Sequence, residues 1–403
     1  MLCSFFGPYK WKIYSYEGLL VYFLFQIVFF AGLSMRKISL KSHSRHHTIC
    51  CFNLTKQGKA IIYFFQVLSI LCFLYEIIFF FKTLGEQYRF LGGQYNSILY
   101  DQRTIVNKLA NFMLQSGMAG YIIIHVLNIK QSKMAKLLGE ISFWCSPLKY
   151  LMAGTRFEMA VAFFIYFYLN SIKVQNTRVC KKQKYKNIIK LLLLGLLIFL
   201  AFMYLFSTRL LKVSHYTMET IYEFVPGDSP LKPWAQDLYN ITHGLISPIY
   251  SLFNYMGEAP FVFAKFWKDF YPEKVYFGGL SFQPIYIVLR FFGIPQLSPG
   301  EIWIETIQSY FKYSGMGFAL IIDFGFLIGV GVTFIVGVIM AKIEKFNQIN
   351  VICRCLYPCF VPLCFFAPVQ TFYVGRTDYI IFWTLILCFV LYFFRSVKRI
   401  YKV

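Results

Sequence analysis

Three groups of residues in this chain have the types and spacing to do chemistry. The first is a set of arginines, Arg89, Arg103, Arg156 and Arg290. A guanidinium is a planar fork of permanent charge that grips phosphate and diphosphate oxygens bidentately. The second is His243 with Glu258, one within and one just after the segment 239–257, both able to accept a hydroxyl proton at neutral pH. The third is Asp323, the single carboxylate in the apolar run ALIIDFGFLIGVGVTFIVG at 319–337. A lone carboxylate in such a run is costly and marks a functional position by default.

Other chemistry is excluded by context. D-F-G at 323–325 belongs to protein kinases only beside a glycine-rich loop, a strand lysine and an H-R-D loop, and none occurs here. CRCLYPC at 353–359 lacks the paired C-x-x-C spacing of a zinc site and runs into an apolar segment, so its cysteines read as small buried hydrophobes. His43, His46 and His47 have no carboxylate beside them to complete a metal site. The formal net charge of +22 comes without nucleic-acid readout chemistry, so no nucleic acid is implied as a partner. No outward-facing D-x-D pair is found, so no metal or other cofactor is implied.

The elements that must position these residues are set by composition. The chain is 58% hydrophobic, 21% aromatic and only 14% charged, with mean hydropathy +0.56. A soluble fold of this size carries nearly twice that charged fraction, so the fold class is an all-α, polytopic integral membrane protein. Apolar runs at 17–35, 59–81, 107–127, 135–153, 157–172, 188–207, 316–341, 352–372 and 377–394 are the expected spans. The fourth is the weakest, since it carries Glu140, Pro147 and Lys149.

Charge decides whether it crosses. The loops 36–58, 128–134, 173–187 and 342–351, the tail from Arg395 and their flanks hold about 23 of the 40 basic residues, which marks them as cytoplasmic. Only with 135–153 as a span does RVCKKQKYKNIIK at 178–190 also face inward. Nine helices with residue 1 outside follow, or ten if an upstream start adds one. The run 17–35 lacks a convincing cleavage site and is followed by basic MRKISLKSHSRHH, so it is read as an anchor rather than a leader.

The expected organisation is one transmembrane domain, 1–403, with a large outer loop at 208–312. That loop contains half of the 18 acids and no cysteine. Its apolar pieces 239–257 and 277–294 are too broken to span, and read as interfacial or re-entrant helices over a cavity. Topology does not explain the arginines outside, which suit a lipid-linked phosphate or diphosphate. Arg156 lies in the tight turn AGTRFEM and Arg290 in the apolar piece 277–294. Head-group anchoring is the alternative reading of each.

Span five preceded by G-T-R, then Y-N-I-T-H-G-L-I-S-P-I-Y-S-L-F-N-Y (239–255), G-L-S-F-Q-P-I (279–285) and D-F-G-F-L-I-G (323–329), occur in this order. Together they resemble the Wzy-type oligosaccharide repeat-unit polymerases, the O-antigen and capsule polymerases of bacterial envelopes, from about residue 13 to the end. Two departures stand out: Asn254 where the family pattern often has an aspartate, and KYSGMGF (312–318) where it has N-V-Y-T.

The resemblance implies a metal-independent glycosyltransferase of the bacterial inner membrane, its active site facing the periplasm. Its partners would be undecaprenyl-diphosphate-linked oligosaccharides, the bilayer and a chain-length regulator protein. Arg156 and Arg290 would bind the diphosphate with Arg89 and Arg103 in support, and His243 or Glu258 would act as base. Tyr239 and Tyr250 would stack on sugars, although interface aromatics are equally expected. An O-antigen ligase has a similar architecture, and a lipid-linked-oligosaccharide flippase a similar composition. The flippase would show intramembrane charges and internal repeats rather than a hundred-residue outer loop.

Asp323 has a further expectation of its own. It lies about two turns inside its span, too deep to serve as a base. It should accept hydrogen bonds from an adjacent span or loop, an outer-loop arginine among the possible donors, and so hold a cavity wall. Gly325, Gly329 and Gly331 should let a neighbouring helix come close.

Overall fold

The computed structural model describes residues 7–35, 52–87, 104–153, 157–176, 230–242, 257–269, 275–293, 315–347, 349–366 and 377–397, with a few single positions between. They are mostly helical, and each expected apolar run within them is helical. In chain order the helices are α1 (Tyr16–Ser34), α2 (Lys56–Leu84), α3 (Ile105–Met113), α4 (Ser116–Val126), α5 (Lys133–Met152) and α6 (Phe157–Asn176). There follow α7 (Pro233–Ile241), α8 (Ala259–Asp269), α9 (Gln283–Phe291), α10 (Gly315–Phe324), α11 (Phe326–Phe346), α12 (Val351–Phe366) and α13 (Thr377–Phe393). A short antiparallel pair, β1 (Phe52–Leu54) with β2 (Arg395–Val397), ties the start of α2 to the end of α13.

Among the described residues, four helical stretches are long and apolar enough to cross a membrane: α1, α2, residues 105–126 and α11. Their outward faces carry bare hydrophobics such as Leu20, Ile27, Phe64, Ile78, Leu327 and Ile335. A water-soluble protein would not leave such continuous apolar stripes exposed, whereas lipid accepts them. This is an α-helical membrane protein. The expected run 188–207 lies outside the described residues except at Ile189 and Leu193, which are helical and exposed.

The chain packs as two compact units. The first contains Met1–Ser34 and Leu194–Val338; the second contains Met35–Leu193, Ile339–Leu363 and Val374–Val403. In the first, α1 packs along α8 and α10. A methyl placed on Gly18 would sit 2.7 Å from the Cα of Ala264, so bare glycine is what admits α8 there. In the second, α2, α4 and α5 pack mutually, with α13 laid on α4 and α6 on α5.

Three expectations need correction. The run 316–341 is not one helix but two, α10 and α11, broken at Gly325 with φ +74°, a conformation that favours glycine. The run 107–127 is likewise divided at Leu114–Gln115. Third, Gly325 and Gly331 face open space, and of the three expected glycines Gly329 alone meets a helix closely, a methyl there lying 3.0 Å from the Leu320 carbonyl oxygen of α10. A further crossing is made by Gly32 of α1 and Gly337 of α11, where a methyl on Gly337 would lie 2.5 Å from the Phe29 carbonyl oxygen.

Candidate functional site

The break after Asp323 frees backbone groups that a continuous helix would pair, and inside an apolar bundle they must find partners. A turn formed by residues 276–281 provides them. Tyr276 and Phe277 donate their backbone N–H groups to the Asp323 carbonyl oxygen across 3.1 and 2.8 Å. Leu280 N–H donates to Asp323 Oδ1 across 3.0 Å and Ser281 N–H to Oδ2 across 2.6 Å. Four amides of residues 276–281 thus close on one residue that is 0% exposed. The turn reverses sharply through Phe277 (φ +46°) and Gly278 (φ +90°), which aims successive amides at one point. The donors to the carboxylate are therefore backbone amides of the loop.

This clasp fixes the start of α9. Gln283 begins the helix two residues after Ser281, and Arg290 lies in its last turns. The segment 277–294, expected as one amphipathic piece, is a tight turn followed by a nine-residue helix.

A second cluster forms around the amino-terminal segment. Residues 8–10 pair with 230–232: Lys10 N–H donates to the Pro230 carbonyl across 2.8 Å and Lys232 N–H to that of Pro8 across 2.7 Å. Tyr9, 4% exposed, donates its hydroxyl to the Tyr250 carbonyl (3.2 Å), and the Tyr250 hydroxyl donates to that of Ala235 (2.7 Å). Tyr239 packs on the same core, and Trp11 stacks on Phe261 of α8 at 5.2 Å between ring centres.

Glu258 borders this cluster and is 2% exposed. Its carbonyl accepts from Phe261 and Val262, so it starts α8, with its carboxylate near the positive end of the helix dipole. Burial raises the Tyr9 phenol well above its ordinary range, and the charges of Glu258 and then Tyr250 add to this, keeping it neutral. The segment 239–257, expected as one amphipathic piece, begins with the end of α7, which stops at Ile241, and is helical again at Ile249, Tyr250 and Phe253.

The structure thus brings Glu258 together with Tyr239, Tyr250 and Tyr9, and joins Asp323 to the turn before α9. Arg89, Arg103, Arg156 and His243 lie outside the described residues, as does the side chain of Arg290. Trp234 is half exposed on α7. Cys355 and Cys359 are wholly buried on α12.

Sequence reasoning missed two features. One is Tyr9, although the alternation in PYKWKIY (8–14) is a strand-like signal that could have found it. The other is an ion pair in the second unit. Lys149 Nζ of α5 lies 3.4 Å from Glu76 Oε2 of α2, both side chains almost wholly buried. The signal was Glu76 deep in one apolar run and Lys149 in another, charges of opposite sign on neighbouring helices.

The class these features define is a helical membrane protein with a buried carboxylate clasp and a buried aromatic cluster bordered by Glu258. The chain matches no family model, no curated protein and no solved structure.

Proposed function

We propose that this protein is an oligosaccharide repeat-unit polymerase of the Wzy type, with about nine spans in a bacterial inner membrane and its active site facing the periplasm. In this reading, two undecaprenyl-diphosphate-linked oligosaccharides meet under the 208–312 loop. A hydroxyl of one attacks the sugar carbon that the other holds on its diphosphate. The carbon–oxygen bond to the diphosphate breaks, the lipid diphosphate leaves with the electron pair, and the hydroxyl proton passes to a base. Arg156 and Arg290, with Arg89 and Arg103, would stabilise the charge growing on the bridging oxygen, an electrostatic contribution of several kcal/mol in a dry site. A chain-length regulator protein would set product size.

The observation that supports this reading best is the Asp323 clasp. Two of the sequence segments that carry the resemblance, G-L-S-F-Q-P-I and D-F-G-F-L-I-G, are hydrogen-bonded to each other through Leu280, Ser281 and Asp323. Segments 42 and 43 residues apart in sequence that act as one unit are what a shared site requires. Burial weighs against Glu258 as the base, since an enclosed carboxylate does not reach an acceptor hydroxyl, and we assign that role to His243.

One observation favours a second reading, a flippase for the same lipid-linked substrates. Intramembrane charge pairs such as Glu76–Lys149 are features of transporters. A single experiment separates the two. Purified protein in detergent, given lipid-linked single repeat units, should yield a ladder of longer oligosaccharides on the lipid carrier. Absence of any ladder, with transbilayer movement of the repeat unit in proteoliposomes, would replace the polymerase by the flippase. Transfer onto a lipid A core without lengthening would indicate the ligase.

A further inference from the structure

The second unit contains a polar seam that neither reading uses. It runs along the contact of α2, α4 and α5, where an apolar bundle needs only hydrophobic or small residues. At one end Lys149 Nζ, beside Glu76, donates to Asn111 Oδ1 across 2.8 Å, and the Tyr150 hydroxyl donates to the same oxygen across 2.8 Å. In the middle lie Ser69 and Ser142. A methyl on Gly117 would meet the Ser69 hydroxyl oxygen at 2.5 Å and the Ser142 carbonyl at 2.6 Å, so these groups surround one point. Further along, the Gln66 amide is held between Gly120 and Gly139: a methyl on either would lie 3.6 or 3.4 Å from its nitrogen. At the other end the Tyr121 hydroxyl donates to Glu140 Oε1 across 3.0 Å, with the His125 ring 3.9 Å from the Tyr121 ring.

One member of this seam points to what occupies it. The amide of Gln66 is 0% exposed, and neither its oxygen nor its nitrogen has a protein partner. A buried amide left so would cost several kcal/mol, and bound water is the usual remedy. Nine residues of α5 separate Glu140 from Lys149, a rise of about 14 Å. The expected topology puts Glu140 and His125 toward the cytoplasmic side and Glu76 with Lys149 toward the outer side.

We propose that this seam is a proton path: titratable groups at each end, joined through hydroxyls, amides and the water they bind. A proton enters at Glu140 or His125, passes through water bound between these polar groups, and leaves from the Glu76–Lys149 pair. No bond other than O–H or N–H forms or breaks, and no redox partner is needed. A proton moves by exchanging which O–H or N–H bond holds it, a route closed to a sodium ion, and this selects the proton among small cations. The titratable groups around the seam are Glu76 from α2, Tyr121 and His125 from α4, Glu140, Lys149 and Tyr150 from α5, and Tyr166 from α6; α13, packed on α4, brings the buried Asp378. This inference does not depend on the polymerase reading.

The test is proton flux. Full-length protein is reconstituted in liposomes enclosing a pH-sensitive dye, and a potassium diffusion potential is imposed with valinomycin. Wild type should acidify or alkalise the lumen several-fold faster than protein-free liposomes, and Glu76→Gln should fall to that background. Because removing one partner leaves a buried charge, the paired variant Glu76→Leu/Lys149→Leu is included. Apolar replacement of both partners is often neutral for stability, so this variant should elute and melt as wild type yet not conduct. Wild-type flux equal to protein-free liposomes would make the seam a structural polar contact only. Undiminished flux in the paired variant would also overturn the path, as would sodium flux in place of proton flux.

Discussion

Ser281 donates its backbone N–H to Asp323 Oδ2 across 2.6 Å, and Leu280 does the same to Oδ1 across 3.0 Å. Both carboxylate oxygens are thus acceptors facing donors. This alters what substitution should do. From sequence, asparagine looks nearly equivalent, but its amide offers one acceptor and turns an NH2 group toward a backbone N–H. We expect Asp323→Asn to lose about 1.5–3 kcal/mol of stability, the worth of one hydrogen bond to a charged group. Asp323→Leu, which strands two donors, should lose about 2–6 kcal/mol. Thermal unfolding in detergent measures both; an asparagine variant that melts as wild type would mean the clasp contributes little.

The helix crossing gives a paired prediction. Gly337→Ala forces a methyl against the Phe29 carbonyl and the Gly32 Cα at 3.0 Å, which should destabilise by about 1–3 kcal/mol. Gly331→Ala, in the same helix but facing open space, should be neutral or stabilise by up to about 1 kcal/mol. Equal melting temperatures for the two variants would refute the assigned crossing.

The anion site is tested by chemistry rather than stability. Arg156→Ala and Arg290→Ala should each abolish polymer and leave single repeat units on the lipid carrier. Lysine at either position should recover little, because a point charge does not reproduce the bidentate fork. Normal polymer lengths on a gel from both alanine variants would remove these residues from the site.

The topology prediction uses single cysteines in a background without the native ones. Position 228 should react with an impermeant thiol reagent in intact cells, and position 175 only after permeabilisation. Reaction of 175 in intact cells would refute the nine-span arrangement and, with it, the orientation of the proton path.

Helicity and membrane residence were legible in the sequence because both depend on composition over long windows. Apolar runs of about twenty residues have no other stable solution in lipid than a helix. That argument located α1, α2, α5, α6 and α13 to within a few residues. It did not find the break at Gly325, because an isolated glycine in an apolar run is compatible with a continuous helix. Only the arrival of residues 276–281, 42 residues or more away along the chain, stabilises the broken form by pairing the freed carbonyl of Asp323. The Glu76–Lys149 pair has the same character. Each charge alone argues against its span, and the packing of α2 on α5 is what neutralises the objection. Local pattern fixes which segments are helices; partners for buried polar groups depend on contacts between distant segments, and those exist only once the chain has packed.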